Sequence, residues 1–439
     1  MHDLVGVWLL PLAARGHTLQ GIFPNNAGDL SQVSLVKINT KTGGEKMQLL
    51  EGVRIIDLTR VLAGPFCTML LADMGAEVIK VERPLQGDDA RAFGPFLNDF
   101  SMYFLSINRN KKSITIDLKT EKGKNILKDL VKEADVLVEN FRPGTMEKLG
   151  LGYDVLQSLN SRLIYAACSG FGHSGPYSER PAYDLIVQGL SGIMSVTGFP
   201  DGPPTKVGSS IADITAGLFT AIGILSALNY RNRTGMGQKV DVAMLDSQVA
   251  ILENALARYF VNSEPPKPIG NRHPSITPFA VFDTKDDYII IAVGNDTMWK
   301  NFCSLIQRSD LASAPKFLTN RLRTENYEEL FSILGEELKK KTTAEWLEIF
   351  GQRIPCGPIN NIQQVVNNPQ VIAREMIQEV DQPGIGKVKV PGNPIKFSES
   401  PITNYGAAPV LGQDNEVILK DYLNLSTDEI KQLEEEKII

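Results

Sequence analysis

A single carboxylate set among small and apolar residues is the position in this sequence best suited to covalent chemistry. In Gly208-Ser-Ser-Ile-Ala-Asp213-Ile-Thr-Ala-Gly217, Asp213 stands just before a long apolar helix. The helix N-terminus is expected to keep that carboxylate ionised, and its small neighbours let a bulky substrate approach, which suits a nucleophile. Aspartate is equally suited to capping the helix, and spacing alone favours capping. His173, within Gly170-Phe-Gly-His-Ser-Gly-Pro176, falls on a turn that could contact substrate, whereas His273 beside Pro274 and Asp184 after Tyr183 read as structural. Cys67, Cys168, Cys303 and Cys356 have neither metal-ligand spacing nor the density of a disulfide framework, so no metal is expected and a reducing compartment is.

The elements that must position Asp213 alternate between strand and helix. Val53 to Leu58 reads as a strand, Gly64-Pro65 opens a helix through Leu71, and Ala76 to Val81 returns as a strand. The cycle continues with strand Ser113 to Leu118, helix Glu121 to Lys132, and strands Asp135 to Phe141 and Leu163 to Cys168. A long helix from Ser210 to about Tyr230, strand Val240 to Met244 and a helix through Tyr259 follow. The pattern predicts an α/β fold with a mainly parallel, Rossmann-like sheet, although no G-x-G-x-x-G fingerprint supports a nicotinamide or flavin enzyme.

Four segments are expected: a flexible extension or presequence at 1–48, a large α/β domain at 49–262, a linker with a smaller α+β domain at 263–380, and a return to the large domain at 381–439. The linker begins where Pro265, Pro266, Pro268, Gly270 and Pro274 cluster, and the Pro/Gly-rich stretch Gln382 to Pro394 precedes a charged C-terminal helix. The chain has 439 residues and a net charge of -6, which argues against a nucleic-acid partner. No run approaches the roughly eighteen consecutive apolar residues of a membrane span, so a soluble protein is expected. As a targeting segment the first stretch is weak, with Arg15 the one arginine in its first 36 residues.

Several ordered motifs carry a resemblance. Leu50-Glu-Gly-Val-Arg-Ile-Ile-Asp-Leu58, Gly64-Pro65, Gly75-Ala-Glu-Val-Ile-Lys-Val-Glu-Arg-Pro84 and Asn108 to Ser113 come first. Val138-Glu-Asn-Phe-Arg-Pro-Gly144, Thr234-Gly-Met-Gly-Gln238, Val242-Ala-Met-Leu-Asp246, Gly270-Asn-Arg-His-Pro274 and Pro355-Cys-Gly-Pro358 follow. From about residue 49 onward the chain resembles the family III CoA-transferases of the CaiB/BaiF type. The resemblance implies that Asp213 is the nucleophile and passes through a covalent aspartyl-CoA thioester. It implies that Val61, Arg83, Ile116, Asn140, Phe141 and Lys148 hold coenzyme A, although Arg83 and Lys148 also fit solvated charges and Ile116 and Phe141 also fit the core. At its closest it implies succinyl-CoA as donor and a dicarboxylic acid such as glutarate or 3-hydroxy-3-methylglutarate as acceptor. Coenzyme A thioester is then the substrate, and no permanently bound cofactor is needed. An interlocked, ring-shaped homodimer and a mitochondrial-matrix location complete the implied picture.

Departures from the family pattern bear on the reaction. Formyl- and oxalyl-transferring members carry a glutamine where Leu62 stands and a run of glycines where this chain has Gly270-Asn-Arg-His-Pro274, which disfavours a formate-oxalate specialist. Related racemases place a histidine about thirty residues before the aspartate, and here Tyr183 occupies that position. A 2-methylacyl-CoA racemase and a non-catalytic CoA-binding protein are the alternatives.

Overall fold

Strands rich in Ile and Val that alternate with helices build a parallel sheet covered on both sides. The computed structural model describes residues 47–439, so the extension expected at 1–48 lies almost wholly outside the described residues. The strands are β1 (Arg54–Asp57), β2 (Glu77–Glu82), β3 (Lys111–Thr115), β4 (Val136–Glu139), β5 (Ile164–Ser169) and β6 (Lys239–Ala243). They pair in parallel in the order β3-β2-β1-β4-β5-β6. This is the doubly wound order, with a topological switch between β1 and β4.

Alternation along each strand divides the core. Ile56, Ile79, Leu137 and Tyr165 point to one face, where they meet Ile126, Leu127, Leu130 and Val131 of α2 (Glu121–Lys132). Ile55, Val78, Val136 and Ile164 point to the other, against Cys67 and Leu71 of α1 (Ala63–Asp73) and Ile224, Ala227 and Leu228 of a second, longer helix. That helix, α4 (Ile211–Thr234), follows α3 (Asp184–Ser191). By length and composition α4 alone among the described helices could cross a membrane, but half of its most apolar window is buried within the fold.

The two helices that back the site touch through glycine. A Cβ on Gly217 of α4 would lie 2.6 Å from the Ala63 carbonyl oxygen at the start of α1. Gly217→Val is therefore expected to lower stability by about 2–3 kcal/mol, read as a fall in the urea midpoint.

Beyond β6 the expected single helix is broken at Ile251-Leu252 into α5 (Met244–Ala250) and α6 (Glu253–Asn262). A three-stranded antiparallel sheet (Phe279–Asp283, Tyr288–Ala292, Cys356–Pro358) then packs on its own core around Trp299, Phe302, Trp346 and Phe350. The segment expected to be an irregular Pro/Gly stretch instead contains the second strand of a hairpin, Ile377–Gln382 paired with Gly386–Pro391. Its valines alternate inward, so Val380, Val388 and Val390 form a small core that outweighs the local Gly and Pro content. The expected terminal helix is two helices, Asn415–Leu423 and Thr427–Glu435. Ile418, Leu419 and Ile430 from them join the core against α2, and Asp414 and Asn415 accept hydrogen bonds from the Ser113 and Thr115 amides of edge strand β3.

Candidate active site

The carboxyl ends of β1, β4 and β5 open at the switch point, where doubly wound folds place their ligands. A cavity of about 210 Å³ there is lined by Val61, Leu62 and Ala63 after β1, Asn140, Phe141 and Arg142 after β4, and Cys168 to Gly170 at the end of β5. Arg180 to Tyr183, Asp213 and Met244 close it. A larger cavity of about 360 Å³ lies at the amino ends of β2 and β3, bordered by Asp73, Glu77 and Lys112, away from Asp213.

Asp213 is the third residue of α4 and does not cap it. Ser210 holds the N-cap position without a side-chain bond. The carboxylate of Asp184, at the start of α3, caps α4 from outside instead: it accepts from the Ala212 amide at 2.9 Å, while its other oxygen accepts from Gln188 at 2.7 Å. The structural role expected of Asp184 is thus filled. Asp213 is left free for chemistry, but its charge is not favoured as the helix-terminus argument expects. Burial, with the Asp184 carboxylate beside it, raises the Asp213 carboxyl from 3.8 to about 7. Desolvation, reinforced by the Asp184 charge, sets the direction of the shift against the helix-terminus expectation.

The six residues expected to hold coenzyme A separate into two groups. Val61, Asn140 and Phe141 line the cavity with Asp213. Asn140 clasps the switch point, its side-chain oxygen accepting from the Arg60 amide at 2.9 Å and its amide nitrogen donating to the Arg60 carbonyl at 2.8 Å. Arg60 lies over the Phe141 ring, 5.8 Å from its centroid, and pairs with Asp89 at 3.2 Å. Arg83, Ile116 and Lys148 do not line the cavity. Arg83 is exposed and paired with Asp89 at 2.5 Å, so it reaches the rim through that aspartate. Lys148 is exposed at the end of a short helix, Thr145–Lys148. The Ile116 side chain is 1% exposed and belongs to the core against α2.

The two histidines hold loops. His173 is tied by Lys239 Nζ at 3.0 Å from its Nδ1 and faces Glu139 at 3.5 Å, outside the cavity lining. His273 accepts from the Ser275 amide and stacks on Phe279. Cys168 does line the cavity, but burial pushes its thiol up to about 12, so it presents no thiolate there. Among the described residues no cluster of His, Cys, Asp or Glu could hold a metal ion.

Sequence reasoning missed a buried charge network beneath the cavity wall. Asp57, Lys80, Asp88 and Lys111 are each 5% exposed or less. Lys80 pairs with Asp88 at 2.8 Å, and Lys111 with Asp57 at 3.0 Å. Burial opposes ionisation of Asp57, yet Lys111 and Lys80 outweigh it and hold the carboxyl at about 2. The signal lay in strand β2, where Lys80 sits between Ile79 and Val81: a lysine inside an apolar parallel strand must find a buried partner.

Comparison with known proteins agrees with this architecture. Residues 50–415 match CoA-transferase family III. The chain is 42% identical to the mouse succinyl-CoA:glutarate CoA-transferase, covering 89% of this chain and 90% of that protein. It is 44% identical to the acetyl-CoA:oxalate CoA-transferase of Acetobacter aceti, covering 85% and 95%. The crystal structure of a CaiB/BaiF family protein from Brucella suis superposes with a TM-score of 0.76 at 39% identity, covering 86% of this chain and all of that one. The chain belongs to CoA-transferase family III. It is an enzyme of the CoA-transferase class, working on coenzyme A thioesters.

Proposed function

We propose that the enzyme moves coenzyme A from succinyl-CoA to a dicarboxylic acid, such as glutarate or 3-hydroxy-3-methylglutarate, through a covalent thioester on Asp213. The observation that carries this reading is a partly buried, uncapping carboxylate at the switch-point cavity, with no cysteine thiolate or histidine sharing the lining. The Asp213 carboxylate attacks the donor thioester carbon and expels CoA thiolate, leaving a mixed anhydride. The thiolate attacks the aspartyl carbon, releases succinate and leaves aspartyl-CoA. The acceptor carboxylate then attacks that thioester, expels the thiolate and forms a second anhydride. Attack of the thiolate on the acceptor's carbonyl yields the new acyl-CoA and frees Asp213.

Each bond broken is matched by one formed, so what the protein must supply is placement, worth roughly 7–11 kcal/mol for a well-oriented intramolecular attack. A carboxylate stripped of water attacks more readily than a solvated one. The relatives' named acceptors, glutarate and oxalate, differ in length but share two carboxylates, which supports a dicarboxylate acceptor. The racemase alternative needs a proton carrier opposite Asp213, and Tyr183, 76% exposed, stands where the resemblance places a histidine.

Mass spectrometry of the enzyme quenched during turnover tests the proposal. A CoA adduct on the peptide containing Asp213 is expected, and its absence from an enzyme that turns over rejects the mechanism. The acidity of Asp213 adds a pH test. Attack needs the carboxylate, so kcat/KM rises with pH through an apparent midpoint of about 7. Because the Asp184 charge contributes to that value, Asp184→Asn moves the midpoint to lower pH; an unmoved midpoint would assign it to another group.

The proposal includes a homodimer. Leu218, Phe219 and Ile222 of α4, Leu185, Ile186 and Leu190 of α3, and Phe260 and Val261 of α6 are large exposed apolar residues, which supports a face covered by a second copy. Sedimentation should give twice the chain mass of 48.3 kDa. The mitochondrial-matrix location also belongs to the proposal, and a fluorescent protein fused after residue 48 tests it.

A further inference from the structure

Val61 has φ of 68°, a left-handed backbone that a β-branched residue adopts only when its surroundings force it. The source of that force is visible on both sides of the residue. Asp88 Oδ1 accepts from the Val61 amide at 3.0 Å and from the Ala90 amide at 2.9 Å. Its Oδ2 pairs with the Lys80 ammonium, which donates to the Thr59 carbonyl at 2.7 Å. The same turn is held from below by Asp57, which accepts from the Thr59 amide at 2.8 Å, and by Lys111, which donates to the Pro65 carbonyl at 3.1 Å. Lys80 and the Asp88 side chain are 0% and 1% exposed, so solvent does not weaken the pair.

The geometry points to the Lys80–Asp88 pair as a positioning device for the reaction: it holds Val61 in its left-handed conformation and so sets the cavity wall, Val61 to Ala63, that Asp213 shares. Neither side chain lines the cavity, so both act through the backbone they grip. Fold stability alone does not account for the arrangement. A buried ion pair is often no better for stability than apolar residues of equal volume, and here it maintains a strained conformation at the site. The device has directional consequences. With it intact, the wall is presented in one geometry before substrate arrives. Without it, Val61 relaxes to negative φ and the wall turns away from the position where the thioester meets Asp213.

This inference rests on the cavity being the catalytic site, so wild type and Asp213→Ala are measured alongside. Lys80→Met combined with Asp88→Leu removes both charges together and leaves neither orphaned. In that folded double variant kcat is expected to fall about 10–100-fold while KM for the acyl-CoA stays within about threefold. Adding Val61→Gly, which adopts the left-handed conformation without steric cost, is expected to return kcat by about tenfold, a rescue that a merely structural role does not provide. If the double variant does not fold, Lys80→Gln combined with Asp88→Ala, with and without Val61→Gly, gives the same comparison, again with neither charge left alone. Undiminished kcat in a folded variant, or no recovery on adding Val61→Gly, overturns the inference. Activity in Asp213→Ala would instead overturn the proposed function, and with it the positioning role that rests on that function.

Discussion

Asp213→Asn should abolish CoA transfer, by about ten-thousandfold or more, and at the same time make the protein more stable above pH 7. The two effects share one cause. The native carboxyl titrates at about 7 instead of 3.8 because folding removes it from water beside Asp184. Below pH 3.8 the group is protonated whether folded or not and contributes nothing. As pH rises from 3.8 to about 7 the unfolded chain ionises more readily than the folded one, and stability falls; above about 7 the full cost, of order 2–4 kcal/mol, is present. The asparagine amide carries no charge, so melting temperatures of wild type and variant should diverge between pH 4 and pH 8, with the variant higher at pH 8. Equal melting temperatures at pH 8 would mean that the carboxylate is not desolvated. Binding of CoA should survive the change, which isothermal titration can read.

Lys111→Met should be among the most damaging single substitutions in the large layer. Lys111 donates to Asp57, Asn108 and the Pro65 carbonyl, and burial already draws its ammonium down to about 8 despite Asp57. Removing it leaves Asp57, 0% exposed, without its direct counter-ion, and breaking a buried pair from one side costs about 3–5 kcal/mol. Asp57→Asn in the same chain should recover much of that loss, since the orphaned charge is gone while Thr59 and Thr68 keep a partner. Urea unfolding of the two single variants and the double variant measures the coupling. Strict additivity would show that the pair is not coupled.

The layer order was legible because period and punctuation agree. Helix Glu121–Lys132 matches its expected span residue for residue, fixed by the Thr120 cap and a strongly one-sided apolar pattern. Strands were placed within a few residues because Ile, Val and Leu cluster between turns. The Gly386–Pro391 strand escaped notice because its alternation of Val388 and Val390 with lysines is short and flanked by Gly and Pro. At the site, motif resemblance located Asp213, Val61, Asn140 and Phe141 at one cavity. Ile116, just past the end of β3, instead packs its side chain in the core with residues of α2. The Asp184 cap joins segments 28 residues apart that no local pattern links, and although Lys80 within an apolar strand signalled a buried partner, only the folded arrangement identifies that partner as Asp88.

The bonds that bind residues 414 and 415 to strand β3 join positions about 300 apart in the chain: Asp414 to Ser113 across 301 residues and Asn415 to Thr115 across 300. A ribosome needs roughly 15–60 s to make that much polypeptide. Throughout that interval a nascent chain has an open strand margin with nothing of its own to seal it. Chaperone demand during synthesis, and aggregation of products arrested before residue 414, should therefore trace back to one unguarded flank of the sheet.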